Sequence, residues 1–274
     1  MNIITLCLFL FIISFVISLP YSSPNSIKIH TGLLETSVQI SQLSYCKYDN
    51  INININYINN NDNYVNHIVV YDVEKNGVRA IVGYTLDEHS IFVSYRGSTN
   101  IINWINNARL KMIYPFDFNL EIGVETGFYN SYNKVYDEVI QSIHYTSELF
   151  GVSDILLTGH SLGAISTLLA LDLSHYYSQY NIIGLVTFGS PRIGNHEFVK
   201  TINSLPIGVS YRVVHNDDVV PHLPPMEINY SHVNTEIWYN EDNSEYQICF
   251  TMKNCFSSCG NDSCLNSDDH LNYL

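Results

Sequence analysis

The sequence predicts an α/β fold, with a largely parallel central sheet and helices on both faces. Three observations predict it. From residue 127 to 215, stretches with helical apolar spacing alternate with short apolar runs, as strands joined by helical crossovers do. Before them, residues 67–95 hold three β-type runs separated by turn residues. The chain has 274 residues, 46% of them apolar, which suits one large domain with a sizeable core.

The elements follow in order. Residues 50–66 are rich in Asn. The Ile/Asn alternation of 51–55 has strand period; the Asn tract after it reads as a surface loop or mobile insertion. Strands are expected at 67–74, 78–85 and 91–95, with Lys75-Asn76-Gly77 turning the chain between the first two. A long helix is expected over 127–150, because Phe128, Tyr132, Val135, Val139 and Ile143 share one face. Gly151 closes it. A buried strand (155–160), a helix (162–177), a strand (182–188), a helical stretch (195–203) and a strand (209–215) come next. A further strand begins at His232. Ligand sites in such sheets lie outside the C-terminal ends of the strands.

Gly159-His160-Ser161-Leu162-Gly163 is a G-x-S-x-G pentapeptide. Alone it is a weak signal, since a Gly/Ser helix cap reads the same way. Its setting is specific: it follows the apolar run ILLT and opens the apolar stretch LGAISTLLALDL. That is the strand–turn–helix context of a nucleophile elbow, in which small residues must flank the strained Ser. Ser161 is therefore the candidate nucleophile.

A Ser hydroxyl needs a base, and the base needs a third group to fix its tautomer. Where a G-x-S-x-G elbow carries the nucleophile, the order along the chain is Ser, then Asp or Glu, then His. Asp217 and Asp218 directly follow the run YRVVHN, at a strand's C-terminal edge. Asp218 is the candidate orienter; Asp217 is a solvated neighbour or a stiffener of the turn. His196 and His215 precede the acid, and His222 is too near it in sequence to approach from the other side. His232 starts a strand and reads as a packed residue. The order points to a late loop histidine, His270. One oxyanion donor comes from the residue after the nucleophile, Leu162. The other comes from a loop after an earlier strand, here Arg96-Gly97-Ser98-Thr99, with Ser98 as the donor. An ordinary Gly-Ser turn is the plainer reading of that loop. Residues 100–107 then alternate Ile and Trp with Asn, which suits either a lid or a buried helical turn.

The compartment is legible too. Residues 3–19 form an uncharged apolar run. The run is just long enough for a retained membrane anchor, but we read 1–19 as a cleaved signal peptide, with cleavage between Ser18 and Ser23, and 20–274 as the mature domain; no membrane span is expected in the mature domain. Cys7 lies in the leader; Cys46, Cys249, Cys255, Cys259 and Cys264 remain. A secreted chain favours disulfides over a zinc site there. Asn229 and Asn261 head N-glycosylation sequons. The formal charge is −14, which argues against nucleic-acid binding and against attraction to anionic lipid.

Eight ordered blocks resemble the class 3 lipases, a filamentous-fungal family with the α/β-hydrolase fold: SYC at 44–46, VSYRGSTNIINWINN at 93–107, GF at 127–128, LLTGHSLGA at 156–164, FGSPRIGN at 188–195, NDDVVPHLPP at 216–225, SHVNTEIWY at 231–239 and DHLNYL at 269–274. They run over nearly all of the mature chain. The resemblance implies Ser161, Asp218 and His270 as a triad, Ser98 and Leu162 as oxyanion donors, and a lid at about 100–107. It also implies a lipid or other ester substrate met at a lipid–water interface. The implied chemistry is acyl transfer to water, without metal or cofactor. Glu125 and Thr126 stand where relatives often have a His before the GF pair. Phospholipid, galactolipid or feruloyl esters are rival substrates, and a non-catalytic lipid-binding protein is the rival from another class. Oligomeric state is not legible in the chain.

Overall fold

The computed structural model describes residues 29–46, 56–60, 64–98, 110–233, 235–249 and 267–273. The leader, residues 51–55, the expected lid at 100–107, Asn261, Cys255, Cys259 and Cys264 lie outside the described residues.

One nine-stranded sheet organises the described residues. Its strands are β1 (Asn56–Asn60), β2 (Tyr64–Lys75), β3 (Val78–Thr85), β4 (Ser90–Tyr95), β7 (Asp154–His160), β8 (Asn181–Phe188), β9 (Val209–His215), β10 (Thr235–Tyr239) and β11 (Tyr246–Cys249), side by side in that order. Two short strands, β5 (Met112–Ile113) and β6 (Val124–Glu125), pair separately. The run β4-β7-β8-β9-β10 is parallel, and antiparallel strands flank it on both sides. Parallel neighbours need crossovers. Helices supply three of the four, α2 (Thr126–Phe150), α3 (Ser166–Tyr176) and α4 (His196–Ser204), and the link from β9 to β10 carries two 3-10 turns, Val220–His222 and Met226–Ile228. The sequence's central sheet with helices on both faces is what the structure contains.

Strand side chains alternate between the two faces. Val93 and Tyr95 of β4 and Leu157 of β7 pack in one cluster with Phe128, Val135 and Val139 of α2 and Leu168 of α3. Phe92, Leu156 and Val186 point the other way, against Leu33, Ile40 and Leu43 of a helix α1 (Thr31–Leu43). The β4 and β7 core residues are fully buried, so both faces of the central strands are covered. The helix ends are set locally. Glu125 caps α2 by accepting from the Phe128 N–H at 2.9 Å, and Gly151 closes it in the left-handed region at φ 67°.

Three expectations are corrected. Residues 56–60, read as part of an Asn-rich loop, form β1 and pair antiparallel with β2; ladder bonds use the backbone, so Asn side chains do not forbid an edge strand. The helix expected at 162–177 starts as a 3-10 turn, Ser161–Ile165, and becomes α-helical at Ser166, because the elbow turns too tightly for i→i+4 bonding. The last expected strand starts at Thr235, not His232. Cys249 is disulfide-bonded. Among the described residues, no helix is long and apolar enough to cross a membrane.

Candidate active site

The parallel strands β4, β7 and β9 end at one edge of the sheet, and the segment after each delivers part of the site. After β7 the chain turns at Ser161, whose φ is +59°. Such a left-handed non-Gly residue costs on the order of 1–3 kcal/mol and persists only where its surroundings impose it. The surroundings here are two glycines. A Cβ on Gly159 would lie 2.5 Å from the Gly163 carbonyl oxygen, and one on Gly163 would lie 2.3 Å from that of Tyr95. Only bare backbone lets the turn close against β4. Leu162 is the second residue of the 3-10 turn Ser161–Ile165, so its N–H lies in the first turn at a helical N-terminus, where a developing anion is favoured.

After β4, Gly97 packs directly on the elbow. A Cβ on it would come 2.9 Å from Ser161 Cβ. Ser98, the next residue, is half-buried.

Beyond β9, Asp218 is fully buried. Its Oδ2 lies 2.8 Å from His270 Nδ1, and its Oδ1 accepts from the Val220 N–H at 2.8 Å. His270 sits in a 3-10 turn, Asp269–Leu271, and is 1% exposed. A carboxylate only accepts, so Nδ1 carries the proton and the neutral ring keeps its lone pair on Nε2. That Nε2 and the Ser161 hydroxyl are both buried and make no hydrogen bond among the described residues. In unliganded hydrolases such contacts are often long and tighten only with substrate. The His270 ring lies against His160, the residue before Ser161, with centroids 4.6 Å apart.

The chain thus brings Ser161, Leu162, Ser98, Asp218 and His270 to one strand edge. The histidines set aside in the sequence have other work. His215 lies with Nδ1 3.2 Å from the Asp269 carbonyl and Nε2 3.1 Å from that of Glu241. His232 is held through Nε2 at 2.6 Å by the Pro221 carbonyl. His222 is half-buried and His196 is exposed at the start of α4. Asp217 is half-buried and donates its N–H to Asp269 Oδ2 at 3.1 Å, which makes it part of the turn's stiffening.

Sequence reasoning missed three supports. Tyr273 donates its hydroxyl to Asp218 Oδ2 at 2.7 Å and accepts from the His215 N–H at 2.8 Å. Burial and the neighbouring carboxylate push that phenol well above its ordinary value. No spacing rule announces it, because Asp218 lies 55 residues earlier. Asp269 Oδ2 also accepts from Asn216 Nδ2 at 2.9 Å, so the His270 turn is clamped to the Asp218 turn. Tyr45 and His160 meet at 2.6 Å beneath the elbow; no spacing rule links residues so far apart. Among the described residues, no cluster of three or more His, Cys, Asp or Glu side chains could hold a metal ion.

The geometry has relatives. The class 3 lipase family matches residues 92–228. A secreted mono- and diacylglycerol lipase of Fusarium solani is 32% identical over 194 residues, 68% of this chain and 57% of that protein. A lipase of Rhizomucor miehei is 32% identical over 219 residues, 75% of this chain and 56% of that one. The chain thus aligns with a little over half the length of these curated relatives. Among solved structures, the Rhizomucor miehei lipase in its propeptide complex superposes with a TM-score of 0.75 at 26% identity, over 88% of this chain and 78% of that one. A triacylglycerol lipase described as having a serine protease triad at its catalytic centre superposes at 0.68 and 27% identity, over 76% and 80%. With half of its residues matched by the family and its sheet shared with solved members, the chain belongs to the class 3 lipases.

Proposed function

We propose that the protein is a secreted serine ester hydrolase that cleaves acylglycerols through an acyl-enzyme on Ser161. The observation that carries this reading is the 2.8 Å bond between His270 Nδ1 and Asp218 Oδ2, formed at the strand edge that holds a strained serine elbow. His270 removes the Ser161 proton as the hydroxyl attacks the ester carbonyl. The Ser98 and Leu162 N–H groups stabilise the oxyanion. His270 then protonates the leaving alcohol, and water releases the acid by the same route. Asp218 stays ionised and holds the imidazole in its working tautomer. The relatives named as mono- and diacylglycerol or triacylglycerol lipases favour glycerol esters over phospholipid, galactolipid or feruloyl esters. Secretion after loss of residues 1–19 agrees with the secreted relatives. Asn229 of the first sequon is exposed, as glycosylation requires.

The test is hydrolysis of emulsified long-chain triacylglycerol and of a soluble short-chain ester, with Ser161→Ala as control. We expect activity on both, with turnover lowered in the variant on the order of a millionfold. Activity on the soluble ester alone would move the substrate to a non-lipase ester. No Ser161-dependent turnover of either would favour the lipid-binding protein.

A further inference from the structure

We infer that Tyr45 and His160 form a positioning unit that ties the oxyanion loop to the turn carrying the general base. The inference rests on the roles proposed above for Ser161, Asp218 and His270. Three catalytic segments meet at this pair. His160 Nε2 lies 2.8 Å from the His270 carbonyl oxygen. A carbonyl only accepts, so Nε2 carries the proton, and the neutral ring presents a bare Nδ1. The Tyr45 hydroxyl lies 2.6 Å from that Nδ1 and therefore donates to it. The Tyr45 oxygen accepts in turn from the Gly97 N–H. A Cβ on Gly97 would lie 2.3 Å from this oxygen, so phenol and loop are in direct contact.

The result is one directed chain: Gly97 N–H to Tyr45, Tyr45 O–H to His160 Nδ1, His160 Nε2–H to the His270 carbonyl. It starts one residue before Ser98, passes beside Ser161 and ends on the backbone of the base. None of its members touches the reacting atoms. Each bond fixes the donor sense of the next, so the chain works in one tautomer only. Burial keeps the ring neutral by driving the His160 pKa down to about 3, and the His270 carbonyl then selects the tautomer. His160 is 3% exposed, and its ring also packs against Tyr273, with centroids 5.5 Å apart. The pair thereby reaches the second partner of Asp218. Helix α1, otherwise remote from the chemistry, ends at Leu43, two residues before Tyr45, and so becomes the scaffold of this link.

The experiment compares wild type, Ser161→Ala, Tyr45→Phe, His160→Gln and His160→Leu on a soluble ester, with rates expressed per site titrated to completion by an organophosphonate. Misplacing groups by a fraction of an ångström costs rate rather than binding. We expect Tyr45→Phe to lower kcat about 10-fold and leave KM within about twofold. The Ki of an alkyl trifluoromethyl ketone, which forms a tetrahedral adduct on Ser161, should rise by the same factor as kcat falls. His160→Gln can still donate a side-chain N–H to the His270 carbonyl and should retain more activity than His160→Leu. Unchanged kcat and Ki in Tyr45→Phe would overturn the inference. So would a loss seen only as a smaller titratable fraction, which is the mark of a packing role. Wild-type turnover that survives Ser161→Ala would instead remove the triad reading itself.

Discussion

Around Ser161, five consecutive residues hold one another. Gly159 and Gly163 touch through bare backbone, the chain reverses at a positive φ, and β4 closes the turn from one side. Around His270 the local structure is a single short 3-10 turn, Asp269–Leu271. Its turn is held by Asp218, 52 residues earlier, by the Asn216 and Asp217 contacts to Asp269, and by His160, 110 residues earlier. The nucleophile is placed by backbone sterics and the base by a web of long-range polar bonds. Sterics are close to all-or-none, whereas a web yields in steps, so the two halves should fail differently.

The sharpest way to break the first half is Gly163→Ala. The added methyl would sit 2.3 Å from a carbonyl oxygen of the central strand β4, which has no freedom to move aside. We expect a loss of stability of about 3 kcal/mol. In the protein that still folds, turnover should drop by about 100-fold or more, because the hydroxyl is displaced. Urea unfolding and ester hydrolysis measure the two. A variant with near-normal turnover would mean that the elbow is not the rigid half.

The second half should bend before it breaks. Tyr273→Phe removes one of the two side-chain partners of Asp218 Oδ2 and leaves the buried His215 N–H without its acceptor. An unsatisfied buried donor costs about 1–3 kcal/mol. The His270–Asp218 bond itself survives, so we expect kcat to fall only about 10-fold. A loss as large as that of Gly163→Ala would show that the web is as brittle as the elbow.

The same contrast explains what the sequence reveals. The elbow lies within one pentapeptide, and the strands and helices between 78 and 215 announce themselves by periods of two and 3.6 residues. Both are local signals. Helix α1 is missed because two of its core positions are serines. Ser37 back-bonds to the Leu33 carbonyl, and Ser41 reaches Thr158 on β7, so the apolar period is broken where the packing is tightest. Strand β1 is missed because edge pairing uses backbone rather than side chains. Asp218 and His270 are legible as an order along the chain. Tyr45, His160 and Tyr273 are not, because hydroxyl-to-imidazole and hydroxyl-to-carboxylate bonds across 115 and 55 residues leave no period or spacing.

The smallest expected effect probes whether the web depends on an uncharged His160. In the unfolded chain this ring titrates at 6.5, and in the folded protein burial lowers it to about 3. Between those values the unfolded state binds more protons, so the ring's contribution is complete above about pH 6.5 and is lost as pH falls towards 3. Integrated from pH 7 to pH 5, one such ring removes about 2 kcal/mol of unfolding free energy. His160→Gln has nothing to titrate there and should lose correspondingly less over the same interval. His222 and His232, also lowered by burial, are present in both proteins and cancel in the difference. Urea unfolding of the two proteins at pH 7, 6 and 5 reads this directly. Parallel curves would mean that His160 keeps its ordinary basicity in the fold. Protonation near pH 6 would then cost it the bond from Tyr45, and the oxyanion loop would be tied to the base only in neutral solution.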